Sequence, residues 1–187
     1  MKNLLIVLSG PSGVGKGTIV KRLIEKGGYA LSISCTTREP RRGEKDGREY
    51  FFITKEKFLN MIGGGGFLEY SNHFENYYGT PKEFVEEKLK TCNVLLEIDV
   101  DGGLQVKKSY PQALLIMIAP PNKEELKRRL LGRGSESAEK IEKRLSRMEY
   151  ELAQSGKYDY TVINDDLNAA VVQIENLIKR KKEQIYD

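Results

Sequence analysis

The run Ser9-Gly10-Pro11-Ser12-Gly13-Val14-Gly15-Lys16-Gly17-Thr18 constrains this chain more than any other stretch, because of what stands on either side of it. Leu4-Leu5-Ile6-Val7-Leu8 is a continuous apolar run of the kind a strand buried on both faces needs, and Ile19, Val20, Leu23 and Ile24 then recur at helical spacing. A glycine-rich turn that leaves such a strand and opens a helix is a phosphate-binding loop. Its glycines let backbone N–H groups converge on phosphate oxygens, the helix start adds partial positive charge, and Lys16 reaches the outer phosphates. Residues Gly10 to Thr18 are therefore expected to hold a nucleotide. One position departs from the usual pattern. Gly17 stands where a Ser or Thr normally follows the lysine as a magnesium ligand, so Thr18 is the first hydroxyl available to the metal.

Further apolar, β-rich segments at 29–34, 94–99, 113–119 and 158–163 alternate with helical patterns at 16–26, 81–90, 122–131, 137–154 and 166–182. That alternation predicts an α/β fold, a parallel sheet covered by helices on both faces in three layers. Two regions break it. Residues 35–80 hold aromatic strand-like pieces, Tyr50-Phe51-Phe52-Ile53 and Phe67-Leu68-Glu69-Tyr70, and a short helix ending near Gly63-Gly64-Gly65-Gly66. They read as a small, partly antiparallel α+β lobe inserted after the second strand. Gly132-Arg133-Gly134-Ser135-Glu136-Ser137 reads as a polar turn between helices, the build of a lid. The expected organisation is one domain, with a core at 1–34, 81–131 and 148–187, the inserted lobe at 35–80 and a helical lid at 132–147.

Composition narrows the setting. With 39% hydrophobic and 31% charged residues, and no apolar run near the roughly 20 residues a bilayer requires, a membrane span is not expected. A net charge of +4 does not call for a nucleic-acid partner. Two cysteines, Cys35 and Cys92, and a start that runs straight into the first strand point to free, buried thiols in a reducing cytoplasm. Lys179-Arg180-Lys181-Lys182 ends the last helical pattern, where cations suit the helix dipole. Oligomeric state is left open.

The block Thr36-Thr37-Arg38-Glu39-Pro40-Arg41-Arg42-Gly43-Glu44-Lys45-Asp46-Gly47-Arg48-Glu49-Tyr50, together with Asn76-Tyr77-Tyr78-Gly79-Thr80, Glu97-Ile98-Asp99, Gly132-Arg133-Gly134 and Asn164-Asp165-Asp166, resembles the guanylate kinase family along essentially the whole chain. The resemblance implies ATP and GMP as small-molecule substrates, magnesium bound with ATP, and transfer of the γ-phosphoryl group to GMP and dGMP. It implies a phosphate clamp of Arg38, Arg41, Tyr50 and Tyr78, and a guanine site of Glu69, Ser34 and Thr80. Lys16, Arg133 and Arg144 would meet the ATP phosphates, with Asn164 near the adenine and Asp99 orienting acceptor or magnesium water. Guanine offers two adjacent donors, N1–H and N2–H₂, which one carboxylate accepts together, so Glu69 suits that role. Thr80 has a second reading, since Thr80-Pro81-Lys82-Glu83 is also a helix capping box with proline at the first helical position. Arg129 and Arg147 read as solvated helix faces, and His73 has no catalytic part. Asp101 stands where the family often has glutamine, which leaves the division of labour between Asp99 and Asp101 open.

Three alternatives are weaker. Asp99-Val100-Asp101-Gly102 matches the D-x-x-G string of GTPase switches, but Asn122-Lys123-Glu124-Glu125 misses N-K-x-D at the residue that reads guanine. A non-catalytic module that binds phosphopeptides through the inserted lobe would not need Lys16, Arg133 and Arg144. A phosphate-loop kinase with a different acceptor would not need Glu69, Ser34 and Thr80 together.

Overall fold

Five parallel strands form the core sheet in the order β2-β7-β1-β8-β9: β1 (Leu5–Ser9), β2 (Tyr29–Leu31), β7 (Asn93–Glu97), β8 (Leu114–Ala119) and β9 (Tyr160–Ile163). The computed structural model describes residues 3–73, 75–131 and 138–186, without the side chains of 129–131, 138–145 and 186. β1 and β8 are buried at every position, as continuous apolar runs in a parallel sheet must be. Alternate residues of β1 feed two different cores. Leu4, Ile6 and Leu8 pack with Ile19 and Leu23 of α1 (Lys16–Glu25), Met148 of α6 (Ala138–Ala153) and Ile174 of α7 (Leu167–Tyr186). Leu5 and Val7 pack on the other face with Val85 of α3 (Lys82–Leu89) and Val100 and Val106 of α4 (Val100–Ser109). The three-layer α/β expectation holds, and α5 (Lys123–Leu131) opens on Asn122, whose Oδ1 accepts from the Glu125 amide at 2.7 Å.

The inserted segment builds its own sheet, β4-β3-β6-β5, from β3 (Cys35–Thr36), β4 (Phe51–Phe52), β5 (Phe67–His73) and β6 (Asn76–Pro81), with α2 (Lys55–Gly63) against it. Pairing is mixed as expected, parallel for β3 with β4 and antiparallel for β3 with β6 and β5 with β6. Thr54 caps α2, its hydroxyl accepting from the Lys57 amide at 3.2 Å. Phe58 is fully buried and stacks on Phe67 at 4.3 Å, which ties the helix to the sheet.

Four local expectations need correction. Residues 100–109 form α4, which the pair Gly102-Gly103 hides from a propensity reading. The strand expected at 29–34 stops at Leu31, because the chain leaves the core sheet to start the inserted one at Cys35. The last helix runs to Tyr186, past the basic cluster, with Ile185 packed on the core. Cys92 is half-buried, whereas Cys35 is buried as expected, and both are free thiols. Among the described residues no helix is long and apolar enough to cross a membrane.

Candidate active site

β1 lies between β7 and β8, so the loops leaving the carboxyl ends of β1 and β7 adjoin each other at one edge of the sheet. That edge is where open parallel sheets bind ligands. The loop after β1 curls through left-handed φ at Gly10, Gly13 and Gly15. A Cβ on Gly10 would stand 2.1 Å from the Ile118 carbonyl oxygen, and one on Gly15 would stand 2.5 Å from Asn164 Nδ2, so both must be glycine. Lys16 opens α1 and turns its ammonium back to the Gly10 and Pro11 carbonyls at 2.6 and 3.1 Å. Burial pulls its pKa below the ordinary lysine value, and the carboxylates of Glu97, Glu151 and Asp99 pull the other way.

The loop floors a cleft of about 720 Å³ lined by Gly10, Ser12, Gly13, Gly15, Lys16, Gly17 and Thr18, with Tyr50, Glu97, Ile98, Asp99 and Glu151 opposite. Pro11 and Val14 are buried beneath it. Asn164 is buried too and does not line this cleft; it donates to the Val14 carbonyl at 2.7 Å and props the loop from behind.

A second pocket of about 170 Å³ joins the first through Tyr50, Glu97, Ile98 and Asp99, and adds Ser34, Glu69, Ser71, His73 and Tyr78. The structure thus brings together Ser34, just before β3, Tyr50, just before β4, Glu69 of β5, Tyr78 of β6 and Asp99 at the start of α4, residues that the resemblance groups around the acceptor. Glu69 is 7% exposed, and its carboxyl is pushed up to about 7. Burial is the chief cause, and nearby Asp99 adds to it against the Thr80 hydroxyl. Thr80 is fully buried, and its hydroxyl donates to Glu69 Oε1 at 2.6 Å. It therefore does not cap α3, whose N-cap is Pro81 with no side-chain hydrogen bond.

Arg38 makes a two-pronged pair with Glu44, NH1 to Oε2 and NH2 to Oε1 each at 3.0 Å, and lies over the Tyr50 ring at 5.5 Å. Tyr50 and Tyr78 meet edge to face at 6.0 Å. Glu44 also accepts from the Arg41 amide at 2.7 Å, while the Arg41 side chain is exposed. Arg133 and the side chain of Arg144 lie outside the described residues.

Asp99 caps α4, Oδ1 accepting from the Gly102 amide at 2.8 Å, and its backbone carbonyl takes the Ser9 hydroxyl at 3.2 Å. Sequence reasoning missed Glu97 and Glu151. Glu97 was legible, since it is the last residue of β7, at the carboxyl end of the sheet beside the phosphate loop. Glu151 was not, because its approach to Lys16 depends on how α6 crosses the sheet. Arg147 is exposed, as expected, but its guanidinium also lies 3.3 Å from Asp99 and 3.2 Å from Glu151. A wider groove of about 1110 Å³, lined by Cys35, Phe51, Met61 and Phe84 among others, is behind the inserted sheet and shares no residue with the cleft.

The model of the guanylate kinase family matches residues 2–181. A guanylate kinase from Caldanaerobacter subterraneus subsp. tengcongensis is 51% identical over 183 residues, covering 97% of this chain and 89% of its own length. One from Clostridium acetobutylicum is 48% identical over 182 residues, covering 97% and 87%. The crystal structure of guanylate kinase from Anaplasma phagocytophilum superposes with a TM-score of 0.73 at 30% identity, covering 96% of this chain and 86% of that one. A likeness of this extent spans the core, the inserted lobe and the helices beyond, and with a phosphate loop opening onto a pocket built round a buried carboxylate, the chain belongs to the guanylate kinase family.

Proposed function

We infer that this chain transfers the γ-phosphoryl group of ATP to GMP, and to dGMP, by holding donor and acceptor phosphates in one continuous cleft and neutralising their charge. The observation that carries the reading is the shared wall. Tyr50, Glu97, Ile98 and Asp99 line both the phosphate-loop cleft and the pocket of Glu69, so an anion on Lys16 and a base on Glu69 belong to the same space.

On the donor side, residues Gly10 to Thr18 cradle the ATP phosphates, Lys16 exchanges its carbonyl partners for β- and γ-phosphate oxygens, and Arg133 and Arg144 act on the transferring group from the lid at 132–147. Asn164 acts through the loop it supports. On the acceptor side, Glu69 takes the guanine N1–H and N2–H₂, Ser34 addresses the O6 edge, and Thr80 orients Glu69. Adenine has no donor pair to offer there, and an unpaired buried carboxylate disfavours it by roughly 10⁴-fold. Arg38, Arg41, Tyr50 and Tyr78 hold the GMP phosphate. One of its oxygens attacks the γ-phosphorus as the bond to the ADP oxygen breaks. That oxygen is already anionic, so no general base is required, and positioning with charge neutralisation carries the rate.

Magnesium supplies further neutralisation when bound with ATP. Thr18 and Asp99, the latter through water, are assigned to it. Their hard oxygen atoms fit the ion, and the ATP phosphates and water would supply the rest of its shell. Two free thiols accord with a reducing cytoplasm.

The test is ADP formation from magnesium-ATP with GMP, dGMP, AMP, CMP, UMP and dTMP offered separately beside a no-acceptor blank. Turnover confined to the guanine nucleotides is the expected result. Equal turnover with AMP would remove Glu69 from its role, and none with any acceptor would overturn the reading.

A further inference from the structure

Arg147 of α6 reaches three carboxylates from one guanidinium. Its NH2 is 3.3 Å from Asp99 Oδ2 and 3.8 Å from Asp101 Oδ2, and its Nε donates to Glu151 Oε1 at 3.2 Å. Tyr150, the neighbouring turn's contribution, donates its hydroxyl to the other Asp101 oxygen at 2.6 Å. Asp99 has already spent Oδ1 on the Gly102 amide. Oδ2 makes no backbone contact of this kind, and Arg147 fixes where it points. His73 Nε2 approaches the same oxygen from the inserted lobe at 3.9 Å.

The charges make this contact consequential. Glu97, Asp99 and Glu151 all line the phosphate-loop cleft, where Lys16 is the single described cation of the lining, and Asp101 stands just outside it. Two polyphosphate anions have to enter there. Glu151 is 6% exposed as a residue; burial raises its carboxyl above the ordinary value, and Arg147 and Lys16 work against that rise. Deleting Arg147 removes the guanidinium that reaches all three carboxylates beside the junction of the donor and acceptor pockets, and like charges so close oppose anion binding.

We propose that Arg147 is a positioning residue for phosphoryl transfer, cancelling the carboxylate charge at the junction of the two pockets and orienting Asp99 toward the acceptor. It rests on the assignment of Asp99 to the acceptor site made above. Because the guanidinium is 48% exposed, the effect is moderate and screened by salt.

The experiment compares Arg147→Met, Asp99→Asn, Asp101→Asn and the double variant Arg147→Met/Asp101→Asn in steady-state kinetics at low and high salt, with melting curves alongside. For Arg147→Met we expect KM for both ATP and GMP to rise about tenfold at low salt, with kcat much less affected and a smaller rise at high salt. Asp101→Asn should restore both KM values to within about threefold of native, since it removes one charge that Arg147 neutralises without touching the cleft. KM values unchanged in Arg147→Met, with Asp99→Asn impaired, would overturn the proposal alone. A loss that tracks a lower melting temperature and is not relieved by Asp101→Asn would also overturn it, leaving a plain structural tie between α6 and α4. A native GMP KM in Asp99→Asn would instead remove the site assignment beneath it.

Discussion

Replacing Glu69 by glutamine should make the nucleotide-free protein more stable at pH 8, by an amount that shrinks as the pH falls. The side chain is 7% exposed between the inserted sheet and α4, and its carboxyl is raised from 4.5 to about 7, chiefly by burial. A carboxyl whose folded pKa exceeds its unfolded value binds its proton more tightly when folded. The stability this contributes is complete below 4.5 and is lost as pH rises from there through about 7. At 1.36 kcal/mol for each tenfold change, the whole gap amounts to about 3 kcal/mol. Glutamine has no charge to bury, and its carbonyl can keep the Thr80 hydroxyl, now 2.6 Å from Oε1. Urea denaturation without nucleotide should therefore show Glu69→Gln ahead of native by about 3 kcal/mol at pH 8 and by less than about 1 kcal/mol at pH 5. The same variant should bind GMP far more weakly while ATP affinity stays near native, since the stability sacrificed at Glu69 is what keeps a carboxylate ready for the guanine donors. A stability difference of equal size at both pH values, or a glutamine variant less stable at pH 8, would refute the reasoning.

Three other outcomes are expected. Lys16→Ala should lower kcat by about 10²–10³-fold in the ADP-release assay, as loss of a preorganised charge at the reacting phosphate does, and a near-native kcat would end its assigned role. Gly103→Ala should destabilise by about 1–3 kcal/mol in denaturant titration, because the new Cβ would fall 2.1 Å from the Tyr158 hydroxyl; Tyr158→Phe in the same chain should recover part of the loss, although the ring carbon at 3.0 Å stays close. Native protein treated with iodoacetamide at pH 8 should be alkylated at Cys92 before Cys35 by peptide mass mapping, since burial pushes the Cys35 thiol up to about 11 and leaves it 4% exposed.

Much of the core was readable because its strands are apolar along their whole length and the phosphate loop advertises itself through glycines with one steric purpose. The inserted lobe was readable as a break in that pattern, but its residue roles came from resemblance. The Arg38 and Arg41 segment has nothing in its spacing to separate a phosphate clamp from a charged surface loop. Arg147 escaped for another reason. Its partners Asp99 and Asp101 lie at the start of α4, far off in the sequence, so no window of the chain contains the contact.

Two other misreadings, at α4 and at Thr80, have their cause in the site itself. Gly102 and Gly103 argue against a helix at about 1 kcal/mol each, yet α4 forms through them. A Cβ on Gly102 would come 3.2 Å from Glu69 Oε2, and one on Gly103 would meet the Tyr158 hydroxyl that donates to the Val100 carbonyl at 3.2 Å. The glycines let the start of α4 press against the Glu69 carboxylate and carry its cap, Asp99, to the shared wall of the two pockets. Thr80-Pro81-Lys82-Glu83 has the letters of a capping box, but the threonine hydroxyl is drawn to Glu69 and the helix starts without it. Both rules yield beside Glu69, a buried acid that folding alone would not hold there. Local propensity is overruled most where chemistry demands an unfavourable arrangement, so the two failures point to the pocket that holds Glu69.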